Sequence, residues 1–289
     1  MPGATTSGNA SFFRQAWVVI ADSMGHLNAD DGWAMASHVA LSGLMALFPF
    51  LIFVAALAGF IGQEPLAAQV ADLLFQAWPA EVAGPIAEEV HRVVNGAGAN
   101  LLTIAAVVAA FLASTGVEAA RVALNRAYRV VDRRSFLWLR AESLVFVLAG
   151  AGVSLIFAFF VVLVPSVLQR IVNDVPAFAP CAPLVSIARL IVPGELIVAL
   201  LTAAHLWLPA CRPRWWQLWP GIAATLVLWL ASAIVFAIYV ARFSNLGATY
   251  GGLASVVAAL FFLYIAAVSL IYGAELNGSI MRLREGRIG

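Results

Sequence analysis

Six stretches of this chain are long and apolar, and an α-helix needs about 20 mostly apolar residues, at a rise of about 1.5 Å each, to cross a bilayer. They cover about 35–61, 101–117, 143–164, 186–208, 218–241 and 253–273. The second is short in apolar terms but continues as helix into the polar segment after it. Composition agrees: 63% of the 289 residues are hydrophobic and 11% charged, where a soluble domain has about 45–50% and about 25%. Such a chain cannot cover its apolar surface with polar groups. A soluble globular enzyme, a disordered chain and a disulfide-stapled secreted module are excluded. The fold class is therefore all-α: a membrane protein of six transmembrane helices, with short amphipathic helices at the interface and on the outer face.

The charges set the orientation. All 16 basic residues are Arg, which together with the abundant Ala suggests a GC-rich bacterial genome. Arg121, Arg126, Arg129, Arg133, Arg134 and Arg140 fall in the 118–142 connection. Arg212 and Arg214 fall in the 209–217 connection, and Arg282, Arg284 and Arg287 near the C-terminus. With Arg14 these make twelve on one side, against Arg92, Arg170 and Arg242 on the other, with Arg189 near a membrane edge. The positive-inside rule then puts both termini in the cytoplasm of a bacterial inner membrane. Cys181 and Cys211 fall on opposite sides, so they read as apolar filler rather than a disulfide.

The chain divides into an N-terminal segment (1–33), a six-helix domain (34–281) and a tail (282–289). No cleavable signal peptide is visible. Phe12, Phe13, Ala16, Trp17, Ile20 and Met24 share one helical face, which predicts a short interfacial helix over 11–24 with Ser11 as its N-cap. The external 63–100 connection carries two amphipathic stripes, one after Pro65 and one after Pro85. Small residues recur every fourth position at Ala105, Ala109 and Ala113 and at Gly251, Ser255 and Ala259, marking the second and sixth spans for close helix packing.

Several motifs resemble one family. The stretch from Asp30-Asp31-Gly32-Trp33 to Leu47-Phe48-Pro49 looks like the first-helix signature of the YihY/BrkB family of bacterial inner-membrane proteins. Leu124-Asn125-Arg126-Ala127-Tyr128, Trp219-Pro220-Gly221, Tyr250-Gly251-Gly252 and Gly273-Ala274-Glu275-Leu276-Asn277 agree in order and spacing. The resemblance covers about residues 12–282 and implies six helices with cytoplasmic termini. Members once carried a ribonuclease BN label, now regarded as misassigned, and one branch is named for resistance to serum killing. The resemblance implies no settled activity. The chain departs from the family pattern at Leu41-Ser42, Ala46 and His205, where the family tends to carry Tyr-Tyr, Ser and Tyr.

Ionisable groups inside a membrane cost about 2.5–3.5 kcal/mol at mid-helix, so each needs a reason. His38, Glu118, Arg121, Asn125, His205, Glu275 and Asn277 all fall toward the cytoplasmic side. They are read as a candidate polar cavity in which Arg121 pairs with Glu275 or Glu118. The alternative is a structural ion pair with helix caps. Arg189 and Glu195 lie six residues apart around Pro193-Gly194, a candidate kink. Arg126, Arg129, Arg133, Arg134 and Arg140, interleaved with Tyr128, Phe136 and Trp138, fit a segment held against anionic lipid headgroups, about 1 kcal/mol per Arg, better than a nucleic-acid surface. The four His are isolated from one another, and no metalloprotease, nucleophile-elbow or P-loop pattern occurs. No catalytic residue, cofactor or metal is expected, and ribonuclease activity is not. The function expected is an inner-membrane protein that moves or binds a lipid-like or small-molecule substrate. The alternative is a structural or assembly protein that holds an envelope partner or a second copy of itself.

Overall fold

The computed structural model describes residues 6–60, 99–160, 182–243 and 252–286, with positions 164, 165, 168 and 172 between them. Among these the chain is helical: α1 (Thr6–Ala29), α2 (Gly32–Phe60), α3 (Ala99–Ala127), α4 (Phe136–Ala158), α5 (Ala182–Trp207), α6 (Trp215–Phe243) and α7 (Gly252–Arg284). The six from α2 to α7 are each long and apolar enough to cross a membrane. They alternate in direction, so the start of α2 and the ends of α3, α5 and α7 gather at one end of the bundle. That end is called basal below. The expected outer insert, the side chain of Arg242 and the residues Cys181, Arg92, Arg170 and Arg287 lie outside the described residues.

α2 and α7 form the middle. α2 packs chiefly on α3 and α7, α7 on α6, α2 and α1, and α5 sits at the periphery against α4 and α6. Two clusters fill the interior. The upper one joins Phe53, Val54 and Ala56 of α2 to Ala106, Ala109 and Ala113 of α3 and Val147, Ala151 and Ala158 of α4. The predicted alanine stripe thus does pack, with Ala106 buried in place of Ala105. The basal cluster joins Leu27, Leu124, Tyr128, Leu201, Leu208, Leu218, Ile222 and Ile271. Large apolar side chains such as Ile187, Ile191, Leu230, Val235 and Phe261 point outward, as lipid-facing residues do.

The side chains of Gly251 and Ser255 lie outside the described residues, and the close crossing of the last span comes lower, at Gly273. A Cβ on Gly221 of α6 would collide with the Gly273 carbonyl oxygen, and one on Gly273 would come within 2.6 Å of the Gly221 carbonyl oxygen. Only two glycines let these backbones approach so closely.

α1 starts at Thr6, so Ser11 lies inside the helix rather than capping it. Trp17, Ile20 and Met24 do face outward, while Val19, Ser23 and Leu27 turn toward the bundle. α5 runs unbroken through Pro193, and Arg189 and Glu195 are both exposed on it.

Gly221→Ala is expected to lower stability by about 1–3 kcal/mol through forced overpacking. Gly152→Ala, whose Cβ meets nothing within 4 Å, should shift it by less than about 0.5 kcal/mol. Thermal melts of both variants in detergent micelles test this pair of outcomes.

Candidate functional site at the basal end

The basal end is built from short corners rich in charge. Asp31 takes a left-handed conformation (φ 54°) between α1 and α2, which Asp tolerates better than most residues. At Gly32 any Cβ would come within 2.7 Å of the Leu27 carbonyl oxygen. Asp30-Asp31-Gly32 is therefore a tight helix–helix corner. α3 ends in a Schellman motif: the Val130 N–H donates to the Asn125 carbonyl and the Arg129 N–H to that of Arg126, both at 2.9 Å. Arg129 holds the left-handed position (φ 56°) usually given to Gly. The two corners dock through charge: Arg126 pairs with Asp31 at 3.0 Å and Arg129 with Asp30 at 2.8 Å.

A second knot follows α3. The Arg134 guanidinium donates to both Asp132 oxygens (2.9 and 2.7 Å), to Glu142 of α4 (3.0 Å), and to the Trp207 and Leu208 carbonyls at the end of α5 (3.3 and 2.6 Å). All three guanidinium nitrogens are engaged. The Asn125 amide donates to Asp132 at 3.2 Å and accepts the Ala210 N–H at 2.7 Å. One cluster thus ties α3, α4 and the α5–α6 connection. The Arg134 hydrogen bonds outweigh burial and push the Asp132 carboxyl down to about 2.

Between α3 and α4, Arg140 pairs with Glu118 at 3.1 Å, donates to Ser114 at 2.8 Å and lies 4.0 Å over the Phe111 ring. Arg121, buried, donates to the Leu139 carbonyl at 3.1 Å and lies 3.5 Å from Ser143 Oγ. The expected pairing of Arg121 with Glu118 or Glu275 is therefore corrected: Arg140 takes Glu118, because it projects from α4 directly opposite it. Arg134 and Arg140 are likewise not surface groups for headgroups, since both are ion-paired and partly buried. Arg126 and Arg129 hold the corners together, and Arg133 remains exposed. His38 is exposed on the outer face of α2 and does not join the polar interior.

Of the remaining expected residues, His205 and Asn277 both meet Tyr128, and Glu275 is buried on another face of α7. His205, Asn277, Thr225 and Glu275 are each at most 1% exposed. Asn277 Oδ1 accepts the Gly221 N–H at 2.8 Å, just after Pro220 in α6, and its Nδ2 donates to Tyr128 Oη at 3.4 Å. Burial, only partly offset by this amide, holds the Tyr128 phenol above its ordinary range. Tyr128 meets the His205 ring edge-on at 6.4 Å. His205 Nδ1 donates to the Leu201 carbonyl at 2.9 Å, which leaves Nε2 a buried acceptor without a partner.

The same end holds a latch that sequence reasoning missed. Arg282 of α7 donates to Asp22 of α1 at 2.9 Å, to His26 Nδ1 at 2.8 Å and to Ser279 at 2.8 Å. Burial and then the Arg282 charge push His26 below its ordinary range, so its Nδ1 stays a bare acceptor. Burial raises Asp22, but its bonds from Ser279 and Arg282 win and hold it below the usual carboxylate range. Only the i, i+4 spacing of Asp22 and His26 hinted at a shared face.

Beside the second knot a lateral groove of about 540 Å³ opens between α4 and the end of α5. Trp138, Val145, Phe146 and Trp207 form its walls, and Arg134, Glu142 and Arg212 its basal rim. Among the described residues no group of three His, Cys, Asp or Glu side chains could hold a metal ion.

Arg134→Ala strands two carboxylates and is expected to cost about 3 kcal/mol, the low end for breaking a buried ion pair. Asp132 is held below its unfolded value, so the stability it supplies is present above the ordinary 3.8 and is lost as pH falls through about 2. Denaturant titrations across acid pH should show that loss in the native chain and a flatter profile in Asp132→Asn.

The model of the family "Virulence factor BrkB" matches residues 23–288. Two curated proteins align over most of the chain. The "Putative ribonuclease-like protein YfkH" of Bacillus subtilis is 25% identical over 88% of this chain and 92% of its own. The "UPF0761 membrane protein RC1_0578" of Rhodospirillum centenum is 26% identical over 90% of this chain and 56% of its own. No solved structure matches the chain. A family model that matches residues 23–288, and so takes in all six candidate spans, leaves one conclusion: the chain belongs to the virulence factor BrkB family of membrane proteins.

Proposed function

We propose that this protein binds a lipid-like amphiphile in the lateral groove between α4 and α5, and passes it along the bundle without covalent chemistry. The groove itself carries the reading. Its walls are apolar and aromatic, with Trp138 and Trp207 each 63% exposed. Arg134 is saturated by its own partners, so it shapes the rim and offers nothing to a ligand. Arg212 is exposed, with no ion pair among the described residues, and supplies the free cation for an anionic headgroup. In this reading an acyl chain packs against Trp138 and Phe146 with its headgroup at Arg212, all three of them lining the groove.

In the same reading the basal end faces the cytoplasm of a bacterial inner membrane. The twelve-to-three Arg bias supports that orientation, and the ion pairs described above do not weaken it, since paired Arg still resists translocation.

Tryptophan quenching tests the groove. The purified protein is placed in bilayers containing a lipid brominated on its acyl chain, with either an anionic or a zwitterionic headgroup. The anionic lipid is expected to quench several-fold more efficiently at equal mole fraction. The double variant Trp138→Phe/Trp207→Phe should remove the excess, and Arg212→Gln should abolish the headgroup preference. Equal quenching by both lipids in the native protein would refute an anionic-amphiphile site.

A further inference from the structure

We infer that the buried carboxyl of Glu275 is a binding site for a small monovalent cation, a proton or an alkali metal ion. The inference rests on charge balance around one side chain. Glu275 is 1% exposed, and its Oε2 has no hydrogen-bond partner among the described residues. The cations near it are ion-paired with other acids: Arg282 with Asp22 on α1, its buried Nε–H left without a partner among the described residues, and Arg129 with Asp30 in the α1–α2 corner. Arg126, one turn before Arg129, is committed to Asp31. Each guanidinium has its own carboxylate, and Glu275 is the carboxylate left over.

The groups facing it from the packed elements do not fill the gap. Asp22 and Asp30 act on Glu275 with the same sign of charge. His26, the other titratable group of α1, offers its bare Nδ1 to Arg282. Tyr128, at the end of α3, feels the Glu275 charge but receives the Asn277 amide rather than donating to the carboxyl. An ionised carboxylate with no partner in a dry interior costs several kcal/mol. A cation bound at Oε2 removes that cost and gives three guanidinium groups, three carboxylates and one neutralised site. This site is separate from the groove: it lies on α7 beside α1 and the end of α3, and the groove lies between α4 and α5.

Linkage reads the site without any assay of transport. Thermal unfolding of the purified protein in lipid-free detergent is followed at constant ionic strength, first replacing a bulky organic cation by sodium or potassium, then lowering pH. Any cation that binds only the folded state raises Tm. The native chain is expected to gain a few degrees with one of the two, and Glu275→Gln, which keeps shape and loses charge, to gain nothing. A response to alkali ions assigns a metal-ion site. A response to protons alone, with a carboxylic-acid C=O infrared band that shifts on isotopic labelling of Glu and is missing in Glu275→Gln, assigns a proton site. Asp22 and His26 are present in both proteins, so the difference between the two reports the carboxyl at position 275 together with its effect on these neighbours. Identical responses of the two proteins to both cations would overturn the inference. If Glu275→Gln does not fold, the native chain decides: no alkali-ion dependence together with no protonated-Glu band overturns it as well. Failure of the quenching experiment would leave this outcome untouched.

Discussion

A charge placed in a low-dielectric bundle must bring its partner with it, and the basal half of this protein is organised by that requirement. Lost hydration of a guanidinium or a carboxylate costs several kcal/mol per ion, recovered only where geometry is good and the remaining donors are met. Arg134 shows how completely this is done. Its N–H groups reach two carboxylates and two main-chain carbonyls on separate elements. The carbonyls of Trp207 and Leu208 close α5, where a helix end has acceptors to spare. One side chain therefore caps a helix, neutralises two acids and fixes the floor of the groove.

Helix packing above that level needs no charge. α2, α3 and α4 meet through Ala106, Ala109, Ala113, Ala151 and Ala158, and α6 meets α7 through Gly221 and Gly273. Small residues work here because lipid tails are as apolar as the helices, so the gain comes from backbone approach and dispersion rather than from expelling water. The Asn277–Gly221 bond lies on this same crossing. It is short because both backbones are bare there, and it supplies a partner to an N–H in the turn that Pro220 leaves with one donor fewer. Trp219-Pro220-Gly221 and Gly273-Ala274-Glu275-Leu276-Asn277 are thus two halves of one contact.

The spans and the outward face of α1 were legible because a helix in lipid writes its length and its apolar face directly into the sequence. The burial of Asn125, His205, Glu275 and Asn277 toward one end was legible for a related reason: polar residues in apolar runs have few places to go. Pairing was not. Arg121 and Arg140 lie nineteen residues apart on adjoining helices, and which of them meets Glu118 depends on the rotation of α4 against α3, to which periodicity is blind. His38 sits four residues from Ser42 on a helix whose apolar character is nearly uniform around its axis, so no moment told its face. Asp132 and Glu142 had no pattern of their own, since their roles come from chain segments brought together by the turn after α3.

α1 joins these strands. One face, through Trp17, Ile20 and Met24, is exposed, and on the other one guanidinium of α7 is shared between Asp22, His26 and Ser279. Glu275 and Arg282 lie seven residues apart on α7, two turns along one face, so the guanidinium that seats α1 is the same one whose charge reaches the carboxyl proposed above to take up a cation.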